Sequence, residues 1–162
     1  MKNNSSPKIL NIIVTLGISI TCVLLLGTPL IITAFFKSQI SQLDHNLIMA
    51  VTICIYLCAV PYVISLFKLR KLCKLVVKNN PFSIESVISL KVISICSFSE
   101  IIIFIGCLKY LEHSIEFFKY IVLGVPIIIV TFICVTIGLL CVVLSQLFEK
   151  AIKIKEENDK TI

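Results

Sequence analysis

The stretch VKNNPFSIESV, Val77–Val87, is the segment of this chain that decides how the helices on either side are connected. It is polar, it closes a segment with five positive charges, and apolar runs flank it on both sides. The residue before a proline avoids helical angles, so the Asn-Asn-Pro triplet ending at Pro81 predicts the end of a helix. Ser83 suits the N-cap of the next helix, and Glu85 falls in its first turn, where the helix dipole favours an acid. The stretch therefore predicts an elbow between two helices.

The rest of the chain is too apolar for a soluble domain. Of its 162 residues, 58% are hydrophobic and 15% are charged, and the mean hydropathy is +1.07. A helix needs about 20 apolar residues to cross a bilayer. Four runs are long enough, and we predict one membrane domain over residues 1–162, with spans at 9–35, 46–67, 87–108 and 120–148, a linker at 68–86 and a tail at 149–162. Prolines inside the spans are expected to kink the helices, while neighbouring groups satisfy the carbonyls that they free.

The distribution of positive charge predicts the orientation in the membrane. Eleven lysines and arginines lie on the side of the termini and the linker, and three lie on the opposite side. By the positive-inside rule both termini, the linker and the tail are expected in the cytoplasm, and the loops around Asp44 and Glu112 outside. The predicted fold is therefore an all-α, polytopic membrane protein: four transmembrane helices form two hairpins that a cytoplasmic elbow joins. Cys73 is expected to react with an impermeant thiol reagent only after the cells are opened.

The linker is expected to begin as a helix. Its leucines recur at helical spacing, so we predict that the second helix continues past the membrane as an amphipathic segment. The lysines of that segment would face anionic lipid head groups.

One acid lies well inside the third span. Glu100 is about 13 residues into the span, or about 20 Å at 1.5 Å per residue, whereas Lys91 is near enough to the end to reach the head groups. On a helical wheel Ser97 and Ser89 share the face of Glu100, and such a small, polar stripe is typical of a face that packs against other helices. Ionisable residues within spans are functional-site candidates. Glu100, Ser97 and Ser89 are therefore the candidate intramembrane polar site.

Three roles remain open for Glu100. Hydrocarbon favours a neutral carboxyl, which can donate a structural hydrogen bond; the alternatives are a proton or cation relay and the binding of a partner. Hydroxyl groups expected at a similar depth belong to Thr28, Thr52 and Tyr56.

The sequence contains no arrangement typical of an enzyme. We find no His/Glu/Asp cluster, nucleophile motif or phosphate-binding loop. Seven of the eight cysteines fall inside spans and are interpreted as small apolar residues. His45 and His113 lie in separate loops, so neither a metal site nor a cofactor is expected.

Two segments resemble a known family. KNNPFSIESVISLKVIS (residues 78–94) and LFEKAIKIKEENDKTI (residues 147–162) are similar to the elbow and the C-terminal ending of the domain of unknown function 2975 family, a group of small four-span bacterial membrane proteins. The resemblance covers essentially the whole chain, although Lys160 stands where the family usually has leucine. It implies a place in the bacterial cytoplasmic membrane and no particular activity. Because members are often encoded beside a small helix-turn-helix regulator, it also implies a regulatory partner.

The function expected from these observations is that of a regulatory or interaction protein. Its partners would be the bilayer, anionic head groups at the linker, a cytoplasmic regulator protein and a second copy of the chain, without direct contact to nucleic acid. The basic linker and the acidic tail are expected to dock on each other or on the partner. Two alternatives are a small oligomeric transporter or channel subunit that uses Glu100, and an immunity-type membrane protein. The candidate cytoplasmic interaction residues are Arg70, Lys71, Lys74, Pro81, Phe82, Ser83, Glu157, Asn158 and Asp159.

Overall fold

The computed structural model describes residues 5–39, 45–78, 80–114 and 124–160, and within these ranges the chain is entirely helical apart from the turn between the second and third helices. Asp44 and residues 120–123, on which predictions fell, lie outside the described residues. The four helices are α1 (Ser5–Gln39), α2 (His45–Val77), α3 (Ile84–Ser114) and α4 (Gly124–Lys160). Each is long and apolar enough to cross a membrane, over Asn11–Ala34, Asn46–Val77, Ile84–His113 and Gly124–Asn158. The prediction of an all-helical protein with four helices of membrane-spanning length and composition is confirmed within the described residues.

Each helix packs against the next one along the chain. α1 packs on α2, α2 on α3, and α3 on α4. Within the described residues the backbones of α2 and α4 do not come within packing distance of each other. The two helices therefore flank α3 and leave a cleft between them.

Most large apolar side chains point away from the other helices. Leu26, for example, is 80% exposed, and Leu30, Ile102 and Phe132 are similarly open. A soluble protein rarely exposes apolar faces of this extent, whereas lipid tails are as apolar as leucine. The exposed faces are thus suited to hydrocarbon, which agrees with the predicted spans.

Pro29 illustrates how α1 and α2 are held together. A proline has no backbone N–H, so Pro29 leaves the carbonyl of Leu25 without its usual partner within the helix. The hydroxyl of Tyr56 on α2 donates a hydrogen bond to this carbonyl at 3.0 Å. This contact confirms, for Pro29, that a neighbouring helix satisfies the freed group.

The elbow, residues 78–83, is closed by hydrogen bonds on both sides. α2 continues through Pro61 and ends at Val77, and the N–H of Asn80 donates to the carbonyl of Leu75 at 3.1 Å, a bond typical of a helix C-terminus. At the start of α3 the N–H of Ser86 donates to the hydroxyl oxygen of Ser83 at 3.3 Å. The predicted N-cap at Ser83 is confirmed.

We expect Ser83→Ala to lower the local stability of the first turn of α3 by up to about 1 kcal/mol, because the N–H of Ser86 keeps only its bond to the Ser83 carbonyl and the Ser86 hydroxyl loses its bond to the Ser83 hydroxyl. Amide hydrogen exchange of residues 84–87 should become faster. Ser19→Ala is the matched control, since the exposed Ser19 hydroxyl bonds only to its own helix at Thr15. Equal exchange rates in the two variants would show that Ser83 does not stabilise the helix start.

The packed face of α3 is built from small side chains near the elbow. Ser86 and Ser89 are 0% and 1% exposed, and Ser145 of α4 is 2% exposed. The hydroxyl of Ser89 donates to the carbonyl of Glu85 at 2.8 Å, so it is satisfied within its own helix. Small residues let helix backbones approach closely. They account for the close packing of α3 at this end.

Candidate functional site

The cleft between α2 and α4 contains two cavities that extend along α3. One has a volume of about 440 Å³ and is lined by residues of α2, α3 and α4, including Tyr62, Ser97 and Cys134. The other has a volume of about 340 Å³, and its lining includes Cys58 of α2 and Val130 of α4. Glu100 lines both cavities. Among the described residues that line the cleft, Glu100 has the one carboxyl, and it lies where the two cavities meet.

Glu100 lies near the middle of the apolar span Ile84–His113. Its Oε2 atom is buried and has no hydrogen-bond partner within the described part of the chain. The thiol of Cys58 interacts with the carboxyl, but a thiol is only a weak donor. A buried polar atom without a good hydrogen-bond partner destabilises the folded protein. Oε2 of Glu100 is therefore available to accept a hydrogen bond from a ligand or another protein group.

The hydroxyl groups expected at the depth of Glu100 donate elsewhere. Thr28 donates to the carbonyl of Leu24 at 3.0 Å, and Thr52 donates to that of Ile48 at 2.7 Å. Tyr56 donates to α1, as described above. These three hydroxyls therefore do not supply the partner of the carboxyl.

The structure separates the two serines predicted to accompany Glu100. Ser97 lines the larger cavity with Glu100, and its hydroxyl donates to the carbonyl of Ile93 at 3.0 Å. Ser89 does not line this cavity. It lies eleven residues before Glu100 on the same helix, about 16 Å away along the axis. Of the predicted polar site, only Glu100 and Ser97 belong to the cleft.

Several cysteines around Glu100 were not predicted to belong to the site. Cys58 and Cys107 line the smaller cavity with the carboxyl, and the Cys107 thiol lies 3.9 Å from the carbonyl oxygen of Cys54. All three are free. Their spacing in the sequence could have indicated a shared site. Cys54 and Cys58 are one helical turn apart, and Cys107 follows Glu100 by seven residues on the same face of α3. Within the described residues no group of three or more His, Cys, Asp or Glu side chains is arranged to hold a metal ion.

The elbow end of the molecule, formed by the elbow and the C-terminal turns of α2 and α4, is tied together by contacts between elements. The rings of Phe82 and Phe148 meet edge to face, with centroids 5.0 Å apart. Lys71 of α2 pairs with Glu85 of α3 at 3.3 Å. The two side chains are 50% and 58% exposed. Water screens the charges at such exposure, so this ion pair contributes less than about 1 kcal/mol to stability. The elbow end thus has one aromatic contact, between the elbow and α4, and one ion pair, between α2 and α3, among the described residues.

Lys91 and Glu149 form another contact at this end. Their charged atoms are 3.2 Å apart, and both side chains are exposed. Lys91 therefore contacts an acid of α4 besides lying near the end of the span, as predicted. Glu149, the first residue of the predicted tail, therefore pairs with a lysine of α3 and not with a lysine of the predicted linker, residues 68–86.

The predicted interaction residues have different environments. Lys71, Phe82 and Ser83 take part in the contacts just described, and Pro81 is half-buried. Lys74 is exposed, whereas Arg70 is half-buried, with a buried Nε that has no partner within the described residues. The remaining candidates lie in the last turns of α4, where Glu157 and Asn158 are exposed and each has an interaction, and where α4 also contains Asp159.

Cys73 corrects one prediction about the orientation test. Its side chain is only 3% exposed, although the residue lies in the basic part of α2. A bulky impermeant reagent cannot reach a thiol that the protein itself covers. The expectation that Cys73 would react after the cells are opened is therefore wrong.

Comparison with known proteins identifies a family to which the chain is similar and a relative. The family described as "Protein of unknown function (DUF2975)" matches residues 32–162. A protein of Bacillus subtilis (strain 168), "Uncharacterized membrane protein YoaS", is 35% identical over 115 residues, which are 69% of this chain and 70% of the relative. No solved structure matches. These findings confirm the resemblance noted in the sequence and, with four apolar helices, support a multi-pass membrane protein.

Proposed function

The chain belongs to the DUF2975 family of proteins of unknown function, and from this premise we propose that it is a regulatory membrane protein whose elbow end binds a partner protein. The observation that carries the proposal is a basic surface on a rigid support. α2 and α4 both continue as helices beyond their most apolar parts, to Val77 and Lys160. Phe82 of the elbow packs on Phe148 of α4, and Lys71 of α2 pairs with Glu85 of α3, so contacts link the three helices at this end.

The exposed charge at this end is mainly positive. Lys74 and Lys78 of α2 and Lys150 and Lys153 of α4 all have exposed side chains. A surface of this kind favours a partner with an acidic face, because complementary charge speeds encounter and rejects other partners. The family resemblance makes a small helix-turn-helix regulator the candidate partner.

The orientation is part of the same proposal. Both termini and the elbow face the cytoplasm, with the four helices as two hairpins, because eleven positive residues lie on that side and three on the other. The elbow end is then accessible to a cytoplasmic regulator. Anionic head groups are the competing ligand for the same lysines.

Site-specific crosslinking tests this proposal. A photo-crosslinking amino acid is placed at the position of Lys74, Lys153 or Lys109. Cells that also produce the candidate helix-turn-helix regulator are then irradiated. We expect the regulator to be crosslinked at the first two positions. The third position is the control, because Lys109 pairs with Glu112 near the opposite end of α3.

Charge reversal gives the second part of the test. Lys74→Glu combined with Lys153→Glu should weaken binding of the purified regulator about tenfold or more, and Lys109→Glu should leave it unchanged. Binding is measured in nanodiscs of zwitterionic lipid, so that anionic head groups do not contribute. A basic surface that binds anionic vesicles but no regulator, or a regulator crosslinked equally at all three positions, would contradict the proposal.

A second candidate function is an oligomeric transporter or channel subunit that uses Glu100. The observation that favours it is the buried, unpartnered Oε2 atom in the middle of the span. Proton flux into vesicles that contain the protein, compared between wild type and Glu100→Gln, distinguishes this function from the first. A flux that depends on Glu100 favours transport.

A further inference from the structure

We propose that the cleft between α2 and α4 binds an amphiphilic amine from the bilayer, with the amino group against Glu100 and the apolar body along the cleft walls. The inference goes beyond the proposed function, because Glu100 lies near the middle of its span whereas the lysines of the regulatory surface lie at the elbow end. Neither depends on the other.

The size and the walls of the cleft suit a small apolar molecule. The larger cavity has a volume of about 440 Å³, within the range of roughly 300–1,000 Å³ that is usual for ligand pockets. Its walls are mostly aliphatic, with hydroxyl groups of Tyr62, Ser65 and Ser97 among them, and Glu100 is the charged residue in the lining that the structure describes. Apolar walls with a few placed polar groups are the usual composition of a small-molecule site.

The unpartnered carboxyl determines the chemistry of the ligand. No lysine, arginine or histidine is among the described residues that line either cavity. Lys91, the other charged residue in this part of α3, pairs with Glu149 outside the cleft. The neutral carboxyl expected in hydrocarbon passes its proton to the amine, and the resulting ammonium group supplies both the opposite charge and the N–H donors that Oε2 lacks. A ligand amine therefore completes the site, and an uncharged ligand of the same shape does not.

The helix arrangement provides the way in. The larger cavity is a partly open cleft and not an enclosed void, and the backbones of α2 and α4 do not meet within the described residues. A molecule dissolved in the bilayer reaches Glu100 laterally, without passing through the elbow end.

Equilibrium binding to the full-length protein in nanodiscs tests the inference. The probe is tritiated 1-adamantylamine, and 1-adamantanol is the competitor that has the same hydrocarbon cage with a hydroxyl in place of the amine. Binding to empty nanodiscs is subtracted. We expect saturable binding of the amine to the wild type, and competition by the alcohol that is at least about tenfold weaker.

Two variants and one matched control locate the site. Glu100→Gln keeps the shape of the side chain but removes the charge, and should weaken binding about tenfold or more. Cys134→Phe leaves Glu100 in place and extends an aromatic ring into the larger cavity, so it should also weaken binding about tenfold or more. Glu112→Gln makes the same chemical change on the same helix outside the cavities and should bind like the wild type.

Three results would overturn the inference. The first is an absence of saturable amine binding to the wild type. The second is equal competition by the alcohol, which would mean that the cleft takes any apolar molecule, including a lipid chain. The third is wild-type affinity in Cys134→Phe, which would place the amine elsewhere even if Glu100→Gln did not fold.

Discussion

Ser89→Leu is expected to lower the free energy of unfolding by about 1–3 kcal/mol, or to prevent folding. Ser89 is 1% exposed and lies on the packed face of α3. It does not line the larger cavity, and its near-complete burial leaves little room for a leucine side chain. Helix backbones or neighbouring side chains must move apart to admit it. The loss of close contacts along α3 would then spread to both of its partner helices.

Two controls separate the effect of volume from other effects. Ser89→Ala removes only a hydroxyl that bonds within its own helix, and should cost less than about 1 kcal/mol. Ser19→Leu makes the same increase in volume at an exposed position of α1. Unfolding is followed by circular dichroism as dodecyl sulfate is added to mixed micelles. If Ser89→Leu and Ser19→Leu unfolded at the same detergent fraction, the close packing at Ser89 would be disproved.

Lys74→Cys is expected to react with an impermeant maleimide only after the cells are opened. Lys74 is exposed on the basic part of α2, which the charge distribution assigns to the cytoplasm. The native thiol next to it, Cys73, is covered by the protein and should stay unreactive in both conditions. The expected difference between intact and opened cells is all or none, because the membrane excludes the reagent.

His113→Cys is the comparison from the other end of the molecule. His113 is exposed near the end of α3, opposite the elbow, and the new thiol should react in intact cells. Wild-type protein, which keeps all eight native cysteines, measures the background. Reaction of Lys74→Cys in intact cells, with His113→Cys protected, would reverse the proposed orientation and exclude a cytoplasmic regulator as the partner of the elbow end.

The helices and the elbow were predictable from the sequence, because the signals are local. Four apolar runs of spanning length gave four helices, and leucine spacing after Phe67 predicted that α2 continues to Val77. The Asn-Asn-Pro triplet and Ser83 predicted the turn and the helix start, which the hydrogen bond from Ser86 confirms. Each of these features depends on residues within a few positions of one another.

The buried face of α3 was also predictable, but the composition of the site was not. Helical periodicity placed Glu100, Ser97 and Ser89 on one face, and burial of Ser89 agrees with this prediction. Periodicity within one helix says nothing about which residues of other helices lie opposite. The approach of Cys58 to Glu100 and the partner of Tyr56 on α1 therefore remained unknown.

The sequence by itself thus determined the number of spans, the elbow, the start of α3 and the depth of Glu100. Only the tertiary structure decided that one oxygen of Glu100 has no partner, that Phe82 meets Phe148, and that Cys73 is covered. Phe82 and Phe148 are far apart along the chain. Contacts of this kind depend on the rotation and axial offset of one helix against another, which side chains from the whole helix interface set together.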